Sequence, residues 1–96
     1  FAKKSNELKY FSKTELNLQS LEVLASLNDK EFRAMFAKSP VKRIGRDRFV
    51  RNVAYAMGNS KKTRFLPILD TLMKDADFSV RDAAQWAILN LKKIND

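Results

Sequence analysis

The chain has 96 residues, 45% hydrophobic and 31% charged, which is room for one small domain with its own core and not for two. Two Gly and two Pro are too few for the turns of an all-β fold, and the absence of Cys and His removes disulfides, thiolate metal sites, cysteine nucleophiles, the commonest general base and the commonest zinc ligand together. A complete active site is therefore not expected, whereas 19 Lys and Arg against 11 Asp and Glu, net +8, call for an anionic partner.

The stretch from Phe1 to Gln19 holds Phe1, Tyr10, Phe11, Leu16 and Leu18 without steady periodicity and reads as an extended segment, with the folded domain expected over 20–96. Leu18, Leu21, Leu24 and Leu27 fall at threes, one stripe of a short first helix. A second helix starts at Asn28, with Glu31 completing a capping box and Phe32, Met35 and Phe36 as its apolar stripe. Ser39-Pro40 is expected to end it, because the residue before Pro is pushed out of the helical region.

The spacing predicts a third helix over about Ile44 to Met57, buried through Val50, Val53, Ala54 and Met57, with Gly58 as its C-terminal stop and Asn59-Ser60 as a turn. A fourth helix covers about Arg64 to Lys74, with Phe65, Leu69, Leu72 and Met73 inward and Pro67 in its first turn. Asp75-Ala76-Asp77 is a polar link. Ser79 and Asp82 then form a capping-box-like opening to a fifth helix, whose stripe is Val80, Ala83, Ala84, Ala87, Ile88 and Leu91. No apolar run approaches the ~20 residues of a membrane span. There is no signal-like stretch, and a start at Phe1 reads as a piece of something longer.

The excess charge is one block. Nine cations lie between Lys38 and Arg64 with Asp47 as the only acid, while the remaining 69 residues balance ten against ten. Lys42, Arg43 and Arg46 crowd the start of the third helix, where the helix dipole repels cations; with free N–H groups they make a ready phosphate site. Solvated loop cations relieved by Asp47 are the plainer alternative. Arg48, Asn52, Tyr55 and Asn59 share one face with Arg51 beside them, opposite Val50, Val53 and Met57. That face suits phosphate and sugar contacts, or is an ordinary wet surface. Lys61, Lys62 and Arg64 extend the block into a stripe if inter-helix turns align along one edge, and are otherwise surface-turn cations. Trp86 is expected to be buried against the fourth helix or another domain rather than to stack on a ligand, and Arg81 to pair with Asp77 or Asp82. Lys92 and Lys93 sit where cations favour the dipole.

The last two thirds repeats itself. Val50-Arg51-Asn52-Val53-Ala54 matches Val80-Arg81-Asp82-Ala83-Ala84 at a shift of 30, and Tyr55-Ala56-Met57 matches Trp86-Ala87-Ile88 at 31. A period near 30 with two helices per unit predicts an all-α chain of about five helices, the last three or four stacked as a short solenoid. Leu66-Pro67, Asp75-Ala76-Asp77, Val80-Arg81, Ala83-Ala84 and Ala87 resemble a HEAT-type repeat. Glu31-Phe32-Arg33, Phe36, Ser39-Pro40-Val41-Lys42-Arg43, Gly45-Arg46, Arg51-Asn52 and Gly58-Asn59-Ser60 together resemble the C-terminal region of epoxyqueuosine reductase. The resemblance covers nearly the whole chain and is weakest over residues 3 to 20.

What the resemblance implies is a bacterial cytoplasmic oxidoreductase that reduces epoxyqueuosine to queuosine at the wobble position of tRNA, using cobalamin and two [4Fe–4S] clusters held in preceding domains. This piece lacks every cluster cysteine, so no cofactor and no catalytic residue transfers onto it. The implied role is a non-catalytic HEAT-like module that contacts those domains and helps hold tRNA through Lys42, Arg43, Arg46, Arg48, Arg51, Lys61, Lys62 and Arg64, with no membrane partner. Two other readings stand beside it. One is a HEAT-repeat protein-interaction module; the other is a piece of a HEAT-like DNA glycosylase, whose pocket needs more repeats than 96 residues supply.

Overall fold

The computed structural model describes residues 21–94, so the expectations for Phe1 to Gln19, and for Leu18 in the first helix, lie outside the described residues. Within that range there are five α-helices, two 3-10 turns and no strand. The helices are α1 (Leu21–Ala25), α2 (Asp29–Met35), α3 (Arg46–Asn59), α4 (Leu66–Leu72) and α5 (Phe78–Ile94). The 3-10 turns, Pro40–Ile44 and Thr63–Phe65, lead into α3 and α4.

The start of α2 follows directly from sequence. The Asn28 side chain accepts from the Glu31 N–H at 2.8 Å and the Glu31 carboxylate accepts from the Asn28 N–H at 2.9 Å, so two orphan donors are satisfied reciprocally. Phe32 and Phe36 point inward and meet Phe49 of α3 in a trio with centroids 5.1–5.2 Å apart. Met35, expected on the same stripe, is exposed, because the helix stops there and its last turn faces solvent. Ser39-Pro40 does not end α2; it opens the following 3-10 turn, with Ser39 Oγ accepting from the Val41 N–H at 3.2 Å and Val41 buried as the anchor.

The centre of the fold is α3. Val50, Val53, Ala54 and Met57 are fully buried as their spacing requires, and so are Phe49, Asn52 and Tyr55. The largest helix–helix interface joins α3 to α5. The two run side by side in the same direction: Arg46 at the start of α3 meets Asp75 just ahead of α5, and Gly58 near its end lies against Trp86, Ala87 and Asn90.

Gly58 is not a helix stop. It lies inside α3, and a Cβ there would sit 2.7 Å from Trp86 Cζ3 and 2.8 Å from Ala87 Cα, so its bare backbone is what lets α5 approach. Asn90 Nδ2 donates to its carbonyl at 2.7 Å across the same contact. The helix instead runs two residues further and closes at Ser60, whose Oγ donates to Met57 C=O.

The inward residues of α4 and α5 are those their periodicity picks out. Phe65, Leu69 and Leu72 are buried with Met73 partly so, and Val80, Ala83, Ala84, Ala87 and Leu91 are fully buried with Ile88 partly so. The cap of α5 differs from the expected Ser79–Asp82 pair. Asp77 accepts from the Val80 N–H at 3.1 Å and from the Ser79 hydroxyl, a carboxylate at the positive end of the helix.

Candidate nucleic-acid interface

The expected binding cations divide into four sets once the chain is folded, with Arg46 standing by itself. Lys42 and Arg43 stand exposed on the 3-10 turn that Val41 anchors, and Arg48 stands exposed on the first turns of α3. At the other end of α3, Lys61, Lys62 and Arg64 are exposed in the connection to α4. Because α3 has 14 residues, the two groups are separated by about 20 Å along the helix axis. Turns at opposite ends of α3 lie on opposite edges of the helix layer, so the single-edge stripe does not form. No ion pair among the described residues engages any of these six cations. Arg64 is tethered locally, with its guanidinium 4.9 Å from the Phe65 ring centroid.

The third group is the face of α3 expected to point outward. Asn52 and Tyr55 are 1% and 5% exposed, so the middle of that face is closed while Arg48 at its start stays exposed. Tyr55 packs edge-on against Trp86 of α5 at 5.4 Å, which also accounts for the partial burial of the indole. Arg51 is half-buried, with Nη2 at 3.4 Å from Asn52 Oδ1. The amide nitrogens of Asn52 and Asn59 are buried with no hydrogen-bond partner among the described residues. The periodicity that places these residues opposite Val50 and Val53 is correct. The inference of exposure fails because a helix at the centre of a small fold is covered on more than one side.

Arg46 is the residue whose surroundings differ most from expectation. Its guanidinium takes Asp75 in a two-point grip, Nη1 to Oδ2 at 3.0 Å and Nη2 to Oδ1 at 2.7 Å. Nη1 also reaches Asp47 Oδ1 at 3.1 Å, and Nε donates to Leu27 C=O at 2.8 Å. Hydrogen bonding to Asp75 holds the guanidinium pKa above its ordinary value against the opposing effect of burial. The same bond from Arg46 holds Asp75 below the usual carboxylate range, helped by the Asp77 N–H that donates to it at 3.0 Å. Asp77 is lowered too, first by the Ser79 hydroxyl and then by backbone N–H groups at the start of α5. Arg81 pairs with neither Asp77 nor Asp82; its Nη1 donates to the carbonyls of Asp75 and Ala76 and so shapes the link that carries Asp75.

From sequence Asp75 reads only as part of the polar link Asp75-Ala76-Asp77. The one signal available is spacing: residues 46 and 75 are 29 apart, close to the 30-residue shift at which the segments 50–54 and 80–84 match. A shallow cleft of about 430 Å³ opens beside the pair, lined by Asn28, Asp29, Asp47, Ala76 and Asp77. Among the described residues no group of three or more Asp, Glu, His or Cys is placed to hold a metal ion, and no helix is long and apolar enough to cross a membrane. With no Cys and no His in the sequence, the chain offers a metal neither thiolate nor imidazole.

The chain is similar to the epoxyqueuosine reductases of Xanthomonas campestris pv. campestris (28% identical), Alicycliphilus denitrificans (31%) and Pseudomonas aeruginosa (29%). Each match covers 92% of this chain but only 25–27% of the relative, so the chain spans about a quarter of the length of the curated relatives it matches. No family model matches the chain, and no solved structure gives a significant match.

Proposed function

We propose that this chain is the helical-repeat part of a cytoplasmic epoxyqueuosine reductase, a non-catalytic module that holds tRNA while epoxyqueuosine is reduced to queuosine elsewhere in the polypeptide. The observation that carries the reading is the set of exposed cations with no carboxylate partner among the described residues at the two ends of α3, in a chain similar over 92% of its length to enzymes of that name. The parallel packing of α3 and α5 at a 30-residue spacing supports a short HEAT-like solenoid. In this arrangement Lys42, Arg43 and Arg48 contact phosphate at one end of α3, and Lys61, Lys62 and Arg64 at the other, with Arg51 between them. Such contacts position an RNA and carry no sequence information.

The test is the salt dependence of binding between the chain and a tRNA transcript, followed by fluorescence anisotropy. Affinity is expected to fall by roughly 0.7–0.9 log units per tenfold salt for each phosphate neutralised. Changing Lys42 and Arg43 together to Glu lowers the affinity and shallows that slope. Binding that ignores salt, or a double variant as tight as the parent at low salt, sinks the reading. A protein-interaction role is favoured by one feature, the exposed Leu89 beside Trp86 on α5, and the salt-insensitive outcome would point to it.

A further inference from the structure

We propose that Arg46 is a positioning residue rather than a phosphate contact: it clamps the glycine elbow that aims Lys42, Arg43 and Arg48, and Asp75 is the other half of the clamp. The proposal rests on the RNA-binding reading above and assigns different work to residues within the same basic block.

The elbow is Gly45. Its backbone, φ +84° and ψ 157°, belongs to a region that essentially only glycine occupies, and a Cβ there would meet no atom within 4 Å. The constraint is thus conformational and not steric. A glycine joint gives the turn its direction change but nothing to hold it, and α3 has no side-chain cap at its N-terminus. On one side of the joint stand Lys42 and Arg43, on the other Arg48.

Arg46 follows the joint directly and spends its donors on three separate elements. Nε goes to the carbonyl of Leu27 after α1, Nη1 to Asp47 of α3 and to Asp75, and Nη2 to Asp75 ahead of α5. Its side chain keeps 16% of its surface and that of Asp75 13%, unlike the open side chains on either side. A planar fork that meets one carboxylate at two points and a carbonyl at a third fixes orientation as well as distance, which a lysine cannot do. A phosphate recruiting Arg46 has to displace a paired carboxylate, whereas Arg43 and Arg48 meet none among the described residues.

The two roles predict opposite signs. If Arg46 contacts phosphate, Asp75→Asn frees a cation, raises the net charge by one and tightens tRNA binding. If Arg46 is the clamp, Asp75→Asn loosens the elbow and weakens binding by about three- to tenfold despite the extra charge, and Arg46→Gln weakens it similarly. Arg46→Lys keeps the charge but loses the planar fork, so it weakens binding under the clamp and leaves it nearly unchanged under direct contact. A readout on the unmodified chain guards against a variant that fails to fold. With a tRNA transcript added, the NMR resonances of the Arg43 and Arg48 Nε–H groups shift, while that of Arg46 stays in place. A tightened Asp75→Asn variant, or a moving Arg46 resonance, overturns the proposal while leaving RNA binding intact. Absence of any salt-dependent binding by the unmodified chain overturns the reading it rests on.

Discussion

At its N-terminal end α3 starts from a glycine elbow and is pinned by one guanidinium between two carboxylates and a carbonyl. At its C-terminal end a glycine inside the helix lets α5 approach until the Trp86 ring and the Ala87 backbone lie against it. Both ends need a glycine, for unlike reasons. Gly45 supplies a dihedral that other residues avoid and has open space around it; Gly58 has ordinary helical geometry and no space at all. Both ends carry exposed cations, but at the first they flank the Arg46–Asp75 grip and at the second they follow the close contact at Gly58. Polar grips depend on protonation and on single partners; close packing depends on volume. Perturbations should therefore separate the two ends.

The largest effect belongs to the aromatic trio that backs the N-terminal end. Phe49→Ala removes a ring that is fully buried between Phe32 and Phe36, and a loss of about 3–5 kcal/mol in urea denaturation is expected for a truncation of that kind. A loss under about 1 kcal/mol would show that neighbouring side chains refill the space the ring leaves.

Next comes the ionic grip. Arg46→Gln leaves Asp75 without its counter-charge, and because both side chains retain a little solvent contact the cost should fall near 2–3 kcal/mol, below the range for fully buried pairs. Its pH signature has a definite sign. Asp75 and Asp77 both have lowered pKa values in the fold, so they bind protons less readily folded than unfolded. Their contribution is complete above the unfolded carboxylate value of about 3.9 and is lost as pH falls through the lower folded values. Urea midpoints measured from pH 6 down to pH 2 should drop over that window, and Asp75→Asn should flatten part of the drop. An unchanged profile in the variant removes Asp75 from the acid sensitivity of the N-terminal end.

At the other end Gly58→Ala should have no such pH dependence. The added methyl gains roughly 1 kcal/mol of helix propensity but collides with backbone that cannot step aside, an overpacking cost of about 1–3 kcal/mol. A net lowering of the melting temperature is expected; a rise would show that α5 gives way easily.

The smallest effect is at Lys61, whose φ of +63° is unfavourable for a side chain that bears a Cβ. Lys61→Gly should stabilise by about 0.5–1 kcal/mol, the gain being limited by the greater freedom of glycine in the unfolded chain. It should weaken RNA binding slightly at the same time, a split that no change at Arg46 produces.

Local signals in the sequence determined what local physics controls. The Asn28–Glu31 capping box and the buried stripes Val50, Val53, Ala54, Met57 and Val80, Ala83, Ala84, Ala87, Leu91 were legible because a cap spans three residues and a helical face repeats every three or four. The all-helical class followed from those stripes, and the concentration of cations between residues 38 and 64 needed only counting. What tertiary structure alone decided was which side of a face is open and which charge meets which. Asn52 and Tyr55 sit opposite the main stripe yet are buried, because α3 is covered on more than one side. Gly58 looks like a stop in one dimension and is a contact in three, because its neighbours are Trp86 and Ala87, about 30 residues away. Arg46 is one cation among the nine between residues 38 and 64. In the fold it is a partnered one, because folding brings Asp75, Asp47 and the Leu27 carbonyl within reach of a single planar fork, and no count of charges along the chain contains that distance.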